Sequence, residues 1–568
     1  MKILGISELD NDAGAVLLDG AVLMGAVNEE RFSRIKRHCG FPFQSIAWLL
    51  KKAGIKAKEL HAVVIVKNTF EEEMRRYKAP LRKHQWFNRR FAAHECALNW
   101  LAYKTYKVPK MRSMVRTLDK ETNDWLEWSG VSPRKVFRID HHRAHAASAY
   151  FASGFKRALA VTVDGQGAGV SASVYKGENG RLERLQEIYH PNSMGVFYAA
   201  ATKALGFTPA KHEGKVTGLA GYGPPDAEAL DMCRQLAFNT GGRFETPCLY
   251  GAFPRMKRVL KRCGRVPFAA AFQQVLEEVV CAFIRPYLDE TGLDDIVLAG
   301  GVFANVKLNQ RVKEIDGIKN IFVFPHMCDG GLGFGGAFDY LSREQRIVPT
   351  RIQDVYWGPA FTDWEMRTAL KRSGLYFKMV DDQAAAIAQL LADGRLVARF
   401  NGALEFGPRA LGNRSILYHT TDPSVNDWLN DKLERSEFMP FAPITLPEHA
   451  AGLFEGLEGG EFPAEFMTIT FNCTDRMRKL SPAVVHEDGT ARPQIVNPNA
   501  NRDMYNILEK YHALTGIPSV VNTSFNMHEE PIVRTPREAI QAFLQARLDC
   551  LSLGPFLAAR EENKGLLE

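Results

Sequence analysis

Two histidines four residues apart are the strongest chemical signal in this chain. His141 and His145 lie among small helix-forming residues in the segment 140–150. Side chains at this spacing share one helix face, so both imidazoles can bind one ion. Imidazole suits iron, zinc or another first-row metal, and a carboxylate would complete the site, with Asp164 and Asp329 as candidates. The alternative is a helix whose histidines bond only to backbone and solvent, but the nearby Asp-Gly-Gln-Gly favours a metal.

Glycine clusters follow three strand-like runs, at 165–169, 300–301 and 330–336. Glycine at a strand end lets backbone N–H groups approach phosphate, so these segments are candidate nucleotide contacts. Tight turns would explain the same glycines equally well. The clusters lack the helix context and later acidic residue of a dinucleotide fingerprint, which disfavours a Rossmann dehydrogenase.

Two similar strand meanders indicate a duplicated fold. The first is predicted at 2–7, 15–18 and 21–27, and the second at 158–163, 169–175 and 182–188. Two such lobes, each followed by helices, describe an α/β architecture of the actin-like ATPase and sugar-kinase type, which holds nucleotide between its lobes. A polar stretch near 345 predicts a boundary between domain 1–345 and a second α/β domain, 346–568, with a helix at 364–373 and a strand at 396–400.

The composition is that of an ordinary globular protein. The 568 residues are 46% hydrophobic and 24% charged, with a net charge of +7, so two large domains are expected. The charge permits anionic substrates, and without a base-reading motif no nucleic-acid partner is expected. The first ten residues do not have the pattern of a signal peptide, so we expect no such peptide, no membrane span and a cytoplasmic location. Nine scattered cysteines argue against a disulfide framework or a thiolate zinc site. A homodimer is the default expectation for oligomeric state.

Residues 70–120 are rich in lysine and arginine interleaved with aromatic residues. A solvated amphipathic helical insertion is the favoured interpretation. The alternative is a patch that binds an acceptor or a membrane surface. The residues concerned are Arg75, Arg76, Lys78, Arg82, Lys83, Trp86, Phe87, Arg89, Arg90, Phe91, Trp100 and Tyr103.

A series of motifs, in order over nearly the whole chain, resembles the O-carbamoyltransferases that decorate nodulation factors and antibiotics. The matches are Asn28-Glu29-Glu30-Arg31-Phe32-Ser33-Arg34-Ile35-Lys36, His141 to Tyr150, Asp164-Gly165-Gln166-Gly167, Gly214-Lys215-Val216-Thr217-Gly218, Ala299-Gly300-Gly301-Val302-Phe303-Ala304-Asn305, Asp329-Gly330-Gly331, Phe406-Gly407-Pro408-Arg409-Ala410-Leu411-Gly412-Asn413-Arg414-Ser415, Met439-Pro440-Phe441-Ala442-Pro443 and Val521-Asn522-Thr523-Ser524-Phe525-Asn526.

The resemblance implies two domains with separate chemistry. The first is similar to the tRNA threonylcarbamoyl-transfer ATPase and the second to threonylcarbamoyl-adenylate synthase. The second domain is expected to convert carbamoyl phosphate to carbamate, and the first to join carbamate to AMP from ATP. The resulting carbamoyl adenylate would pass its carbamoyl group to an acceptor hydroxyl. The expected cofactors are ATP and a divalent metal, Fe²⁺ as first choice, with Mg²⁺ or Zn²⁺ as alternatives.

The resemblance also assigns site residues. The metal ligands are His141, His145 and Asp329, with Asp164 as a further ligand or an orienting group. The nucleotide contacts are Gly165, Gln166, Gly167, Lys215, Gly300, Gly301, Asn305, Gly330 and Gly331. Capturing the carbamoyl phosphate dianion calls for guanidinium forks and neutral donors. The candidates are Arg409, Arg414, Lys432, Arg435, His486, Arg492, Asn522, Ser524 and Asn526. Lys36 is a candidate substrate contact, although a surface role explains both Lys36 and Lys215 equally well.

The proton of the acceptor hydroxyl needs a base, for which His142 or a carboxylate near the metal is a candidate. A structural hydrogen bond is the alternative for His142. Similar sequences read His-Asp-Ala-Ser-Ala near the N-terminus, where this chain has Asn11 and Asp12. Asn11 can hydrogen bond in place of histidine but cannot titrate, so the catalytic role of this pair is open. Relatives also carry arginine where Met439 stands, and Arg435 is a substitute cation.

Two other functions compete with this interpretation. An actin-like small-molecule kinase explains the duplicated lobes but not the arginines of the second domain. A nucleotide-binding protein related to tRNA modification is supported only by the altered histidine motif. The acceptor remains open among sugar, polyketide, peptide and aminoglycoside hydroxyls, because acceptor pockets lie in variable loops.

Overall fold

The computed structural model describes residues 1–8, 11–78, 108–246, 251–434 and 440–567, with isolated positions 97, 101, 104, 105 and 249 between these ranges. These residues form two compact units. The first comprises 1–26 and 38–351, and the second comprises 27–37 and 352–568. Residues 27–37 therefore group with a part of the chain more than 300 positions away, which the sequence analysis did not anticipate.

The elements up to residue 351 alternate strands and helices. The strands are β1 (Lys2–Ser7), β2 (Gly14–Asp19), β3 (Val22–Asn28), β4 (Ala62–Ile65), β5 (Val136–Arg138), β6 (Arg157–Gly167), β7 (Val170–Glu178), β8 (Arg181–Tyr189), β9 (Phe238–Asn239), β10 (Phe244–Glu245), β11 (Asp295–Ala299) and β12 (Asn320–Val323). The helices are α1 (Glu30–Ser33), α2 (Phe43–Ala53), α3 (Phe70–Lys78), α4 (Val108–Ser129), α5 (His141–Ser153), α6 (Met194–Ala204), α7 (Glu213–Ala220), α8 (Ala227–Leu236), α9 (Phe253–Cys263), α10 (Arg265–Thr291), α11 (Val306–Lys313) and α12 (Leu332–Glu344).

The first unit contains the same sheet twice. One sheet has the strand order β3-β2-β1-β4-β5 and the other β8-β7-β6-β11-β12. In each, the opening strand pairs antiparallel with the next strand and parallel with a later one. The apolar side chains of β1, β4 and β11 are buried on both faces, as expected where helices cover a sheet. The predicted strand meanders and the duplicated α/β fold are confirmed.

The parallel strands of the second sheet place three loops at one edge. β6, β11 and β12 run in the same direction, so their carboxyl ends meet. Asp164 lies near the end of β6, the turn 300–301 follows β11, and a loop leading to Asp329 follows β12. Ligands of open α/β sheets bind at such an edge.

Helix α12 holds α5 close to this edge through glycine. A Cβ on Gly335 would lie 1.8 Å from the Ala144 carbonyl oxygen of α5, and one on Gly333 would lie 3.0 Å from the Gly5 oxygen of β1. Only glycine allows backbones to approach so closely. Part of the predicted 330–336 glycine cluster therefore serves helix packing, since these two glycines lie inside α12.

Helix α10 is long and apolar enough to cross a membrane by length and composition, with a mean hydropathy of 1.3 over its most apolar 18 residues. Of that stretch, 67% is buried within the protein. The sequence analysis did not recognise this helix as long enough to span. Its burial matches the central helix of a folded core.

The second unit is a mixed α/β fold. Its strands are β13 (Tyr376–Met379), β14 (Val397–Phe400), β15 (Arg414–Tyr418), β16 (Ala442–Thr445), β17 (Phe454–Glu455), β18 (Phe471–Cys473), β19 (Thr490–Ala491), β20 (Gln494–Ile495), β21 (Ser519–Ser524), β22 (Cys550–Leu553) and β23 (Phe556–Ala559). Its helices beyond α1 are α13 (Asp363–Lys371), α14 (Gln383–Ala392), α15 (Val425–Lys432), α16 (Pro447–Ala450), α17 (Glu461–Ala464), α18 (Asp475–Leu480), α19 (Arg502–Thr515) and α20 (Pro536–Gln545). The main sheet has the order β13-β23-β22-β14-β15-β21-β16-β20, beside a small sheet β17-β18-β19.

The basic segment 70–120 is described at its two ends, by α3 and α4. Residues between 79 and 107, including the predicted Arg82 to Tyr103 positions, lie outside the described residues apart from positions 97, 101, 104 and 105. Within α3, Arg75 is exposed, but Arg76 forms an ion pair with Asp140 at 2.7 Å. One of the basic residues thus has a structural role at the start of α5.

Candidate metal centre and anion site

Helix α5 begins at a residue that fixes its first turn. The Asp140 side chain caps the helix by accepting a hydrogen bond from the Arg143 backbone N–H at 3.1 Å. Burial alone would raise the pKa of Asp140, but the Arg76 guanidinium holds it at about 2. The first helical residue is His141, and His145 follows one turn later, both buried.

The four predicted metal ligands converge. One ligand atom each from His141, His145, Asp164 and Asp329 lies within 4.8 Å of all the others. His141 Nε2 is 3.3 Å from Asp164 Oδ2 and 3.6 Å from Asp329 Oδ1. His145 Nε2 is 3.5 Å from each of the same two oxygens. Two residues of α5, one residue of β6 and one residue of the 3-10 turn 329–331 therefore surround one point.

These residues fit a divalent ion. Metal bonds of about 2.0–2.1 Å in a tetrahedral site separate the ligand atoms by about 3.4 Å, which is close to the separations observed here. His145 Nε2 is buried and makes no hydrogen bond within the described residues, as expected of a nitrogen whose partner is a metal. Two imidazoles and two carboxylates are a ligand set that iron, zinc or manganese accepts, so the set does not select one metal.

The two carboxylates make the cluster strongly favourable for positive charge. Burial would lower the pKa of His141, but its hydrogen bond to Asp164 and the charges of Asp329 and Asp164 raise it to about 9. In return, the two imidazoles hold the pKa of Asp164 well below its usual range despite burial. A site that stabilises a proton on His141 this strongly also stabilises a cation beside it.

Four of the predicted glycines lie next to the metal cluster. Gly167 contacts the His141 ring so closely that a Cβ there would lie 2.0 Å from His141 Cδ2, whereas a Cβ on Gly165 would meet nothing within 4 Å. Gly300 has φ of +104° and abuts the Val163 carbonyl, while a Cβ on Gly301 would lie 3.0 Å from Asp164 Oδ1. The structure thus brings the predicted nucleotide glycines 165, 167, 300 and 301 together at the metal cluster.

Other predicted nucleotide residues lie in or near this edge. Gly330 and Gly331 follow Asp329 directly in a 3-10 turn. Asn305 caps α11 by accepting the Leu308 N–H at 3.1 Å, and its amide donates to Thr217 of α7 at 3.2 Å. Lys215 lies two residues earlier on α7 and is buried, with its ammonium 6.0 Å from the Phe207 ring centre. Asn305 therefore has a structural function that the sequence did not predict.

His142 is held by the protein on both ring nitrogens. Its Nδ1 is 2.8 Å from Thr162 Oγ1 and its Nε2 is 3.0 Å from the Val170 carbonyl oxygen. Burial and the two neighbouring histidines lower its pKa to about 3. A base for an acceptor hydroxyl needs a nitrogen within reach of that hydroxyl. This geometry favours the structural hydrogen bond over the catalytic role. Asn11 and Asp12 are half-buried, and Asp12 has φ of +54°.

A small cavity lies beside His141. It holds about 20 Å³ and is lined by Glu73, Lys67 and Gln166 together with methionine and leucine side chains of α4. That is room for one water molecule. Burial raises the pKa of Glu73 to about 7, against the opposing charge of Lys67. Neither Glu73 nor Lys67 was predicted, although charged residues in the apolar run 62–67 and in α3 are a signal for such a cluster.

In the second unit, the loop 401–413 is built around two buried charges. Glu405 Oε1 accepts backbone N–H bonds from Leu411 and Asn413 at 2.9 Å and from Arg414 at 3.1 Å. The Arg414 guanidinium donates to the Asn401, Gly402 and Asn413 carbonyls and stacks 3.6 Å from the Phe400 ring centre. Burial lowers the pKa of Arg414 to about 10, so it stays charged at neutral pH. Arg414 shapes the loop through these bonds, and its predicted contact with phosphate stays a prediction.

The loop carries Arg409 at its half-buried outer part, next to Ala410. The Asn522 amide of β21 donates to the Ala410 carbonyl at 3.2 Å and to Gln494 Oε1 at 2.7 Å. Asn522 Oδ1 is buried without a hydrogen bond among the described residues. The predicted Arg492 lies two positions before Gln494, and Ser524 ends β21. The loop 401–413, which Asn522 contacts through the Ala410 carbonyl, is the arginine loop of the second unit.

The remaining predicted residues are placed by other contacts. Lys432 is exposed, and its ammonium lies 3.4 Å from the Arg547 carbonyl oxygen. His486 Nδ1 is 3.2 Å from Thr490 Oγ1. The Asn526 amide donates to the Glu530 carbonyl at 2.9 Å. Arg435 and Met439 lie outside the described residues, and Lys36 is exposed within segment 27–37.

The fold and its clusters define a two-unit α/β protein with a candidate metal centre in one unit and a candidate anion site in the other. Residues 2–338 match the family described as Carbamoyltransferase N-terminus, and residues 388–560 match Carbamoyltransferase C-terminus. The chain therefore belongs to the carbamoyltransferase family, as the sequence motifs predicted.

Relatives cover most of the chain. Nodulation protein NolNO of Sinorhizobium fredii is 31% identical over 96% of this chain and 78% of its own length. Nodulation protein NolO of Bradyrhizobium diazoefficiens is 34% identical over 74% of this chain and 79% of its own length. An uncharacterised Synechocystis protein is 33% identical over 98% of this chain and 96% of its own length.

Proposed function

We propose that this chain is an ATP- and metal-dependent O-carbamoyltransferase that takes its carbamoyl group from carbamoyl phosphate. The observation that carries the proposal is the buried His₂Asp₂ cluster of His141, His145, Asp164 and Asp329, surrounded by glycine turns. Such a cluster needs a cation, and glycine turns admit phosphates beside it. The acceptor is a hydroxyl of a natural product or sugar.

The first unit would activate carbamate with ATP. A divalent ion held by the cluster would supply positive charge opposite the nucleotide phosphates. The backbone at Gly165, Gly301 and Gly330 can approach those phosphates because a side chain is missing there. Carbamate oxygen attacks the α-phosphorus of ATP, and the bond to pyrophosphate breaks, leaving carbamoyl adenylate. The acceptor hydroxyl then attacks the carbamoyl carbon, loses its proton and releases AMP.

The second unit would bind carbamoyl phosphate. Its dianion suits the guanidinium groups of Arg409 and Arg492 near the loop 401–413. The carbamoyl NH₂ group is a donor, and Asn522 Oδ1 is a buried acceptor that has no donor among the described residues. Water attacks the carbamoyl carbon, and the bond from that carbon to the phosphate oxygen breaks, which gives carbamate and inorganic phosphate.

The products of ATP test this proposal. The protein is incubated with ATP, carbamoyl phosphate and Fe²⁺, Mg²⁺ or Zn²⁺, and the products are separated by chromatography. We expect AMP and pyrophosphate, with carbamoyl adenylate accumulating when no acceptor is present. ADP would indicate a small-molecule kinase instead. A protein that binds ATP without converting it would fit the alternative related to tRNA modification.

A further inference from the structure

Segment 27–37 inserts an arginine against the arginine loop of the second unit. Arg31 is 2% exposed, and its Nη2 donates to the Gly407 carbonyl at 2.7 Å. Its other terminal nitrogen pairs with Glu30 at 3.2 Å. The Arg31 carbonyl in turn accepts a hydrogen bond from Arg534 Nε at 2.9 Å. This hydrogen bond joins residues that are 376 positions apart in sequence. It fixes Gly407, which lies two residues before Arg409.

A second arginine of the segment holds the neighbouring turn. Arg34 Nη1 donates to the Ile532 carbonyl at 2.9 Å, and Nη2 donates to the Pro531 carbonyl at 2.8 Å. The same guanidinium pairs with Glu538 at 3.2 Å. The turn it holds is closed at its other end by Asn526, whose amide donates to the Glu530 carbonyl.

The loop and the turn also contact each other. Leu404 and Ala410 of the loop form a buried apolar cluster with Ile532 of the turn. Both pieces carry predicted carbamoyl phosphate residues, Arg409 on the loop and Asn526 on the turn. Segment 27–37 therefore contacts both the loop and the turn, because its two guanidinium groups donate hydrogen bonds to their backbone carbonyls.

We propose that Arg31 and Arg34 are positioning residues that hold the carbamoyl phosphate loop and turn in their binding arrangement. The inference rests on the proposed function, since it assumes that this loop binds carbamoyl phosphate. Neither arginine touches the substrate. Each acts through main-chain carbonyls, so its loss loosens the loop without removing a ligand group.

The expected effect falls on binding of carbamoyl phosphate. Removing Arg31 leaves the buried Gly407 carbonyl without its charged donor, and the loop shifts to find another partner. We expect the KM for carbamoyl phosphate to rise by about tenfold to 100-fold, the range for one hydrogen bond to a charged group. The KM for ATP should not change, because the metal cluster is built from other residues.

The experiment measures phosphate release from carbamoyl phosphate, and separately pyrophosphate release as ATP is varied, for the full-length protein and its variants. The variants are Arg31→Ala, Arg31→Lys and Arg34→Ala, with Arg367→Ala, an exposed arginine of α13, as the matched control. Lysine keeps a charge and a donor, so Arg31→Lys should recover part of the affinity. A thermal melt reports whether each variant is folded.

The outcomes separate the two hypotheses. If the wild-type protein releases no phosphate from carbamoyl phosphate, the proposed function fails. If the wild type is active and R31A and R34A lower kcat at unchanged KM, the arginines serve folding only and the inference is wrong. If R31A does not fold, the inference is tested instead by comparing the KM for carbamoyl phosphate of R31K and R34A with that of the wild type. A raised KM with unchanged ATP dependence supports the inference.

Discussion

The contact between Gly167 and His141 offers a direct test of the metal centre. A Cβ at Gly167 would lie 2.0 Å from His141 Cδ2, 2.2 Å from Cγ and 2.3 Å from Nε2. Carbon atoms in contact are normally about 3.5–4.0 Å apart, so Gly167→Ala would push the imidazole away by about 1.5 Å. The φ of Gly167 is not in the left-handed region, so alanine brings no strain of its own there.

The displacement is large compared with what a metal site tolerates, because ligand distances vary by only about 0.2 Å. His141 would therefore stop being a ligand. Apparent binding free energies for four-ligand zinc sites are about 10–16 kcal/mol, so one ligand contributes about 3 kcal/mol. We expect G167A to bind Zn²⁺ or Fe²⁺ more than 100-fold more weakly, at about 1.4 kcal/mol per factor of ten.

The assay is a competition between the purified protein and a chelating dye for Zn²⁺, and separately for Fe²⁺ under anaerobic conditions. Gly165→Ala is the matched control, since its Cβ would meet nothing within 4 Å, and it should keep wild-type metal affinity. Circular dichroism checks that both variants are folded. Wild-type metal affinity in folded G167A would refute the assignment of His141 as a ligand.

Three further predictions test the two sites and their surroundings. His141→Ala should abolish metal-dependent formation of carbamoyl adenylate and pyrophosphate while phosphate release from carbamoyl phosphate continues, and equal loss of both activities would overturn the division into two sites. The pKa of Glu73 is raised from 4.5 to about 7. Burial of the Glu73 carboxylate therefore lowers the free energy of unfolding progressively as the pH rises from 4.5 to 7, and it has no such effect below pH 4.5. Glu73→Gln should therefore gain about 2 kcal/mol over wild type between pH 5 and pH 8 in urea unfolding, and a gain independent of pH would contradict the burial argument. Glu405→Gln removes the charge that accepts three N–H bonds and should lower the free energy of unfolding by about 1.5–3 kcal/mol, whereas an unchanged urea midpoint would show that the loop does not depend on it.

Local patterns predicted the parts of this protein that depend on local geometry. The four-residue spacing of His141 and His145 places both side chains on the same face of a helix in any fold. In α5 both imidazoles lie at the metal cluster. The two strand meanders were equally predictable, because the apolar residues of each strand and the turn residues between strands lie close together in sequence. The pairing of Asp164 with Asp329 was harder, because they are 165 positions apart: their glycine-rich turns made both candidates, and the family motifs assigned them as ligands.

Contacts that depend on the tertiary structure were not predicted. Arg414 follows a glycine-rich motif that suggests phosphate binding, which stays a prediction, and the structure adds that its guanidinium donates to carbonyls of its own loop. Arg76 belongs to a run of basic residues, and only the fold shows that it pairs with Asp140. Residue type and spacing specify which contacts are possible, whereas burial and the partners supplied by the tertiary structure decide which contacts form.

The sign of the charge at each site argues for two separate chemistries. In the first unit, Asp164 and Asp329 bring two negative charges to a buried point where only a cation or protons can balance them. In the second, Arg409 brings positive charge to the loop 401–413, whose one acid, Glu405, is engaged by backbone N–H groups. A dianion would be repelled by the carboxylates of the first site unless a metal came with it, and a metal would be repelled by the second site's arginines. Under the proposed function, we therefore expect carbamoyl phosphate to bind without a metal at the arginine loop, and nucleotide phosphates to bind with a metal at the histidine cluster.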